Sequence, residues 1–294
     1  MATTATKYIV SITITIALLW SLFGPVPAET LWWREALNSG HTVLFFVLAL
    51  LVCHKILHYR GSDRPDTARL AYDYGKVLLI CLLLSISIEL LQALADREVS
   101  LHDVYRSMLG ALAGMSLRLT IDSFKTQQQK SFALLYMMTT VIFLTVGLAT
   151  LLKLSVHYVE RSNAFPVVME FGAEWSESFV RHQQGDFAGI HIIEPEPNWL
   201  GYESLTFDVE SQNLDTIKVG FRVHDYRHNN EHDDRFNSEL IIKPGRNSFE
   251  FPLDEISTGP VERRLDLSAV TGVILFSKKS EEWERIEVRN LKLK

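Results

Sequence analysis

The stretch SFALLYMMTTVIFLTVGLATLL, residues 131–152, carries no charge over its whole length. A helix needs about 20 apolar residues to cross about 30 Å of hydrocarbon. This stretch therefore predicts a membrane-spanning helix. From Ala164 onward the pattern is different. In IKVGFRV, Ile217, Val219, Phe221 and Val223 fall on alternate positions, and so do Phe249, Phe251 and Leu253 in NSFEFPL. That period of two belongs to strands with one buried face. The predicted fold class follows: an α-helical membrane bundle of about five transmembrane helices, then an all-β antiparallel sandwich of jelly-roll type. The predicted boundaries are a transmembrane domain at 1–156, a linker at 157–163 and a β-sandwich domain at 164–294.

Upstream lie Tyr8–Phe23, His41–Leu57, Lys76–Leu94 and the more polar Leu101–Thr120. The last of these is needed as a span, because without it the runs on either side would join with inverted sidedness. Tyr8–Phe23 reads as an uncleaved helix or as a signal peptide ending near Val26-Pro27-Ala28.

Charge separates the same halves. Residues 1–163 hold 14 Lys/Arg against 11 Asp/Glu, a net +3. Residues 164–294 hold 15 against 24, a net −9. The chain's total of −6 argues against nucleic acid as a partner. Both cysteines, Cys53 and Cys81, lie in apolar runs of the first half, so the second half has no disulfides. Basic residues mark the inner side of a membrane. With the N-terminus cytoplasmic, nine fall on inner segments (Lys7, Lys55, Arg60, Arg64, Arg69, Lys76, Arg118, Lys125, Lys130) and only Arg34 and Arg97 on outer ones. The expected location is a multi-pass protein of a bacterial inner membrane, with an extracytoplasmic C-terminal domain.

Polar residues interrupt the apolar runs at helical spacing. Ser85, Glu89, Gln92 and Asp96 share one stripe, as do Asp103, Ser107, Gly110 and Gly114. Arg106 lies beside the second stripe, Arg97 falls between the two, and His41 opens an earlier run at the same face. His41, Glu89, Gln92, Arg97, Asp103 and Arg106 form a candidate polar membrane site. A carboxylate about 9 Å inside a membrane is costly unless it is paired or wet. The cluster reads either as a pocket for an anionic head group, or an acid/base site, or as an ion-pair network joining helices. Arg97 and Arg106 are both candidate partners of Glu89. Gly110-x-x-x-Gly114 reads as helix packing.

The run IELLQALADREVSLHDVYRSMLGALAG, Ile88–Gly114, resembles the signature of VanZ-like membrane proteins. Glu89, Gln92, Arg97, Ser100, Asp103, Gly110 and Gly114 match it, Ser107 stands where that family usually has Asn, and His41 fits an upstream position whose Asp-Lys pair is missing. The resemblance spans roughly residues 8–150. It implies an integral cell-envelope protein with a polar site at the outer leaflet, in a family whose founding member is associated with glycopeptide-antibiotic resistance. It names no substrate.

In the second half, eight strands are expected: Phe165–Phe171, Gly189–Ile193, Glu203–Glu210, Asp215–His224, Ser238–Ile242, Ser248–Leu253, Val270–Ser277 and Trp283–Leu293. The segment His224–Asn237 is rich in His and Asp. It reads as a ligand loop or as a solvated loop, and its spacing fits no EF-hand or zinc signature, so no metal or cofactor is assigned. Trp199 and Tyr202, beside a Pro-rich turn, are expected to be accessible aromatic rings. With His224, Asp225, His228, Asp234 and Arg235 they form the candidate ligand site of this half. The half also resembles galactose-binding-like jelly-roll modules, through Trp199-x-x-Tyr202, His224-Asp225, Asp234-Arg235-Phe236 and the Pro244–Asn247 turn. That class includes carbohydrate-binding domains.

The expected function is a cell-envelope membrane protein with an outward-facing polar pocket and an outer sandwich that recognises a glycan or another envelope component. The expected partners are membrane lipids and a glycan or cell-wall precursor. The alternative is a membrane enzyme acting on a lipid-linked or cell-wall precursor, using Glu89 or Asp103 with Arg97 or Arg106.

Overall fold

A computed structural model describes residues 30–58, 67–94, 99–125, 130–184 and 187–294. The chain divides into two compact units, Met1–Lys153 and Leu154–Lys294. The first is helical: α1 (Leu31–His58), α2 (Thr67–Ala93), α3 (Leu101–Lys125) and most of α4 (Lys130–Ala164). Among the described residues, three helices are long and apolar enough to cross a membrane: Leu31–Ile56, Ala68–Ala93 and Ser131–Ala164. The expected span Tyr8–Phe23 lies outside the described residues. The Leu101–Thr120 run is a helix but falls outside these three, being richer in small and polar residues.

Packing explains why α3 can be less apolar. Ala111 and Ala113 are fully buried, and Arg106, Ser107, Ser116 and Thr120 are buried beside them. A Cβ on Gly110 would sit 2.1 Å from the Thr42 carbonyl oxygen of α1, and one on Gly114 2.4 Å from that of Phe46. The glycines bring two helix backbones into direct contact, as small-residue interfaces do in lipid. α3 therefore rests on protein and needs little oil-facing surface. α2 is built the other way: Leu79, Leu83, Leu90 and Leu91 are exposed while Asp73, Ser85, Glu89 and Gln92 are buried. That is the polarity of a helix solvated by lipid.

The second unit is two antiparallel sheets. β1 (Val167–Met169), β9 (Ile286–Leu293), β4 (Ser204–Ser211) and β7 (Gly245–Pro252) make one, in the order β1-β9-β4-β7. The other has the order β2-β3-β8-β5-β6, from β2 (Val180–Gln183), β3 (Ala188–Ile193), β8 (Val270–Ser277), β5 (Ile217–Asp225) and β6 (Phe236–Ile242). Alternation fixes the core: Leu205, Phe207 and Val209 of β4 meet Ile217, Val219, Phe221 and Val223 of β5. Phe207 and Phe221 join the sheets at 5.2 Å between ring centroids. All eight expected strands form, Val270–Ser277 with its expected ends and the others with shifted ends, and β2 is a ninth. It is a short edge strand, Val-Arg-His-Gln, with no apolar alternation to mark it.

Residues 157–163 are helical, forming the end of α4. Within the second unit, this end packs on the β-domain. His157 Nδ1 lies 2.6 Å from Ser178 Oγ, the Tyr158 hydroxyl donates to Glu194, and Arg161 pairs with Glu196 at 3.3 Å.

Candidate functional site

The polar site of the helical unit is assembled at the start of α3. Ser100 caps that helix, its Oγ accepting from the Asp103 N–H at 3.3 Å. The Ser100 N–H donates to Glu89 Oε2 at 2.9 Å. Glu89 thus sits at a helix N-terminus, where the backbone dipole favours a carboxylate. It is only 2% exposed, and its Oε1 is buried without a hydrogen-bond partner. This geometry explains part of the spacing seen in sequence, with Ser100 as cap and Glu89 as acceptor.

Of the two candidate partners of Glu89, Arg106 pairs elsewhere. It bonds Glu35 of α1 and lies 3.6 Å from Asp103 of its own helix, and no bond joins it to Glu89. Glu35 is the residue that sequence reasoning missed. It lies 71 positions away from Arg106 and outside the polar stripes. His41 is 8% exposed, with Nδ1 3.4 Å from Ser107 Oγ. One ligating atom each from His41, Glu89 and Asp103 lie within 4.8 Å of one another. Gln92 is buried on the α2 stripe. Arg97 lies outside the described residues.

In the β unit, the expected loop site is largely an internal network. Asp225 is 1% exposed. Its carboxylate accepts from Arg263 at 2.6 and 2.9 Å and from the Asp266 N–H at 2.7 Å. Arg263 also bonds Asp234, and its guanidinium holds that carboxyl down at about 2. Asp234 further accepts from the Asn229 N–H at 2.9 Å. His228 stands between Asp234, 3.5 Å away, and Arg235, 3.4 Å away. Arg263 organises the loop, yet in the connection between β7 and β8, away from the loop in sequence, it gave no signal.

Trp199 corrects an expectation. It is fully buried in the sandwich core, its indole N–H donating to the Glu196 carbonyl at 2.8 Å, because the turn folds the ring inward. Tyr202 is half-buried and edge-on to Phe165.

The more open surface is the outer face of the five-stranded sheet. A groove of about 850 Å³ is lined by Lys218, Arg222, Asn237, Glu239, Phe276 and Lys279, among others. Arg222 lies over the Phe276 ring at 4.1 Å, which covers that ring from the groove side. On the same face, the His191 and His224 rings are 5.6 Å apart. Both are held near pKa 4, first by burial, with cationic neighbours adding to it. His191 Nε2 and His224 Nδ1 are buried and lack partners. Gly272 makes room for them: a Cβ there would meet His224 Cε1 at 2.3 Å and His191 Nε2 at 2.8 Å. Of the sequence candidates, His224 faces this side.

Comparison with known proteins gives two kinds of match. Residues 3–122 match the family described as VanZ/LLP1, and this stretch contains Glu89, Gln92, Ser100, Asp103, Gly110 and Gly114. The resemblance read from the polar spacing is therefore found for the helical half. Among solved structures, a family 11 carbohydrate-binding module from Clostridium thermocellum, in complex with a β-1,3-1,4-mixed-linked tetrasaccharide, is similar at 16% identity and a TM-score of 0.29, over 39% of this chain and 72% of that one. An exo-β-agarase is similar at 15% identity and a TM-score of 0.33, over 44% of this chain and 24% of the agarase. The chain thus spans about a quarter of that agarase's length. No curated protein matches.

Proposed function

We propose that the chain is a multi-pass cell-envelope membrane protein whose C-terminal sandwich recognises a glycan outside the cytoplasm. In this reading residues 1–156 form a five-helix VanZ-like domain with its N-terminus inside, and residues 164–294 form the outer domain. The observation that carries the glycan reading is the face of the five-stranded sheet. Its groove offers amide, carboxylate and cationic groups within one open surface. Such groups suit a ligand made of hydroxyls, which both donate and accept. The inside count of basic residues supports the sidedness.

The test is titration of the full chain, in detergent, against a panel of β-glucans, galactans and cell-wall polysaccharides. Binding that falls at least tenfold in Arg222→Ala and Asn237→Ala supports the reading. No binding to any polysaccharide removes it. A reporter fused after Lys294 that reads out in the cytoplasm overturns the sidedness.

A second reading, an enzyme acting on a lipid-linked or cell-wall precursor, is favoured by one observation: His41, Glu89 and Asp103 converge beside Arg106. In that reading Glu89 or Asp103 serves as acid or base and Arg106 with Arg97 holds an anionic group. Glu89→Gln should then abolish turnover of such a precursor while the protein still accumulates.

A further inference from the structure

We infer that His41, Glu89 and Asp103 form a binding site for a divalent transition-metal ion, zinc or manganese. The inference does not rest on the glycan reading. It adds to the second reading of the polar cluster by naming what its carboxylates hold.

Three observations carry it. The first is geometry. One ligating atom from each side chain lies within 4.8 Å of the other two. Three ligands each about 2.1 Å from one ion lie about 3.4–3.6 Å from one another. From separations of up to 4.8 Å, closing onto the ion moves each ligand atom inward by up to about 0.7 Å, within reach of a side-chain adjustment. The three residues come from three helices, α1, α2 and α3. α3 is fixed against α1 by the contact at Gly110.

The second is the unpartnered oxygen. Glu89 is 98% buried by its 2% exposure, and Ser100 satisfies only Oε2. Oε1 has no donor, and neither does the buried hydroxyl of Ser85 one turn away on the same stripe. A buried carboxylate oxygen left this way is expensive unless something electropositive meets it.

The third is charge. Among the described residues, the cluster sets Glu35, Glu89 and Asp103 against the single guanidinium of Arg106. At formal charges, those carboxylates and that guanidinium leave two negative charges in excess. A divalent cation cancels them. One imidazole and two carboxylates suit zinc or manganese better than magnesium or copper(I), and three protein ligands leave a coordination position open. Ser107 Oγ, 3.4 Å from His41 Nδ1, orients the imidazole, as outer partners of metal-bound histidines do.

The test uses the full chain purified in detergent, stripped with a chelator and titrated with Zn²⁺ by calorimetry and with Mn²⁺ by electron paramagnetic resonance. About one equivalent should bind, with affinity reduced at least tenfold in Glu89→Gln and in His41→Gln. A double variant, His191→Gln with His224→Gln, removes the buried histidines of the β unit and should bind as the wild type does. Should Glu89→Gln fail to fold, Asp103→Asn carries the same expectation. Absence of a bound equivalent in the wild-type chain overturns the inference whatever the variants do. Binding that survives both Glu89→Gln and His41→Gln also overturns it. Neither result touches the polysaccharide titration.

Discussion

The two units solve burial in opposite senses. In the helical unit, Glu89, Arg106, Ser107 and His41 are inside while Leu79, Leu83, Leu90 and Val141 are outside. In the β unit, Phe207, Phe221, Val219 and Leu275 are inside while charged residues such as Lys218, Arg246 and Asp254 lie at the surface. The same rule produces both results. Apolar surface is removed from water either by folding it inward or by leaving it in hydrocarbon. What must then go inside a lipid-solvated unit is whatever lipid cannot solvate. Polar contacts and close backbone packing hold it together, since transfer of apolar surface out of water does not.

The largest effect that could break this contrast is Phe221→Ala. The ring is fully buried and touches Phe207, Phe236 and Phe251. Its loss should cost about 3–5 kcal/mol. Hydrogen exchange should locate the loosening in the β strands and leave peptides of α1–α3 unchanged. Equal loosening in both units would show that they share one core.

A matched pair sharpens the contrast next. Leu83 on α2 is 56% exposed and Leu214 in the β unit is 86% exposed. Leu83→Lys should cost about 3 kcal/mol, because the site faces hydrocarbon near mid-helix. Leu214→Lys should fall within about 0.5 kcal/mol of the parent. Membrane accumulation and melting temperature in detergent measure both. Similar small effects at the two positions would place Leu83 in water.

Gly110→Ala ranks third. The added Cβ would meet backbone, the Thr42 carbonyl, which cannot rotate away. A loss of about 1–3 kcal/mol is expected, as for overpacked interiors. Gly75→Ala, with open space around it, should be neutral or gain up to about 1 kcal/mol of helix stability. Thermal unfolding of the two variants separates contact from propensity.

These positions also show what could be read in the sequence. The spacing of Gly110 and Gly114 was legible, because helix geometry alone puts both on one face. The strands of the core were legible, because alternation in IKVGFRV leaves one reading. What failed was tertiary. Glu35 pairs with Arg106 across 71 residues, and no local pattern marks it. Arg263 clamps Asp225 and Asp234 from beyond the strands that flank the loop. Trp199 looked accessible beside its turn, yet the turn folds it into the core. β2 was invisible because its edge position and polar residues remove the alternation.

The last test concerns a place where the β unit departs from its own rule by burying polar rings. His191 and His224 have pKa values near 4, against 6.5 in the unfolded chain, with burial the first cause for both. Arg181 adds for His191; for His224, His191, His228 and Arg235 add and Asp225 opposes. Between pH 4 and 6.5 the unfolded state then binds more protons than the folded one. Stability therefore rises with pH across that window and is lost as pH falls from 6.5 to 4. Partial exposure reduces the effect to about 1–3 kcal/mol. Asp208, held at about 2 first by the Ser248 hydroxyl, and Asp234, held at about 2 first by Arg263, act in a lower window. Their contribution is complete above pH 3.8 and is lost as pH falls through 2. Melting of the β strands followed against pH should show both windows. His191→Gln combined with His224→Gln should flatten the upper one and leave the lower. A steep loss between pH 6.5 and 4 that survives the double variant would mean that these rings are not what titrates.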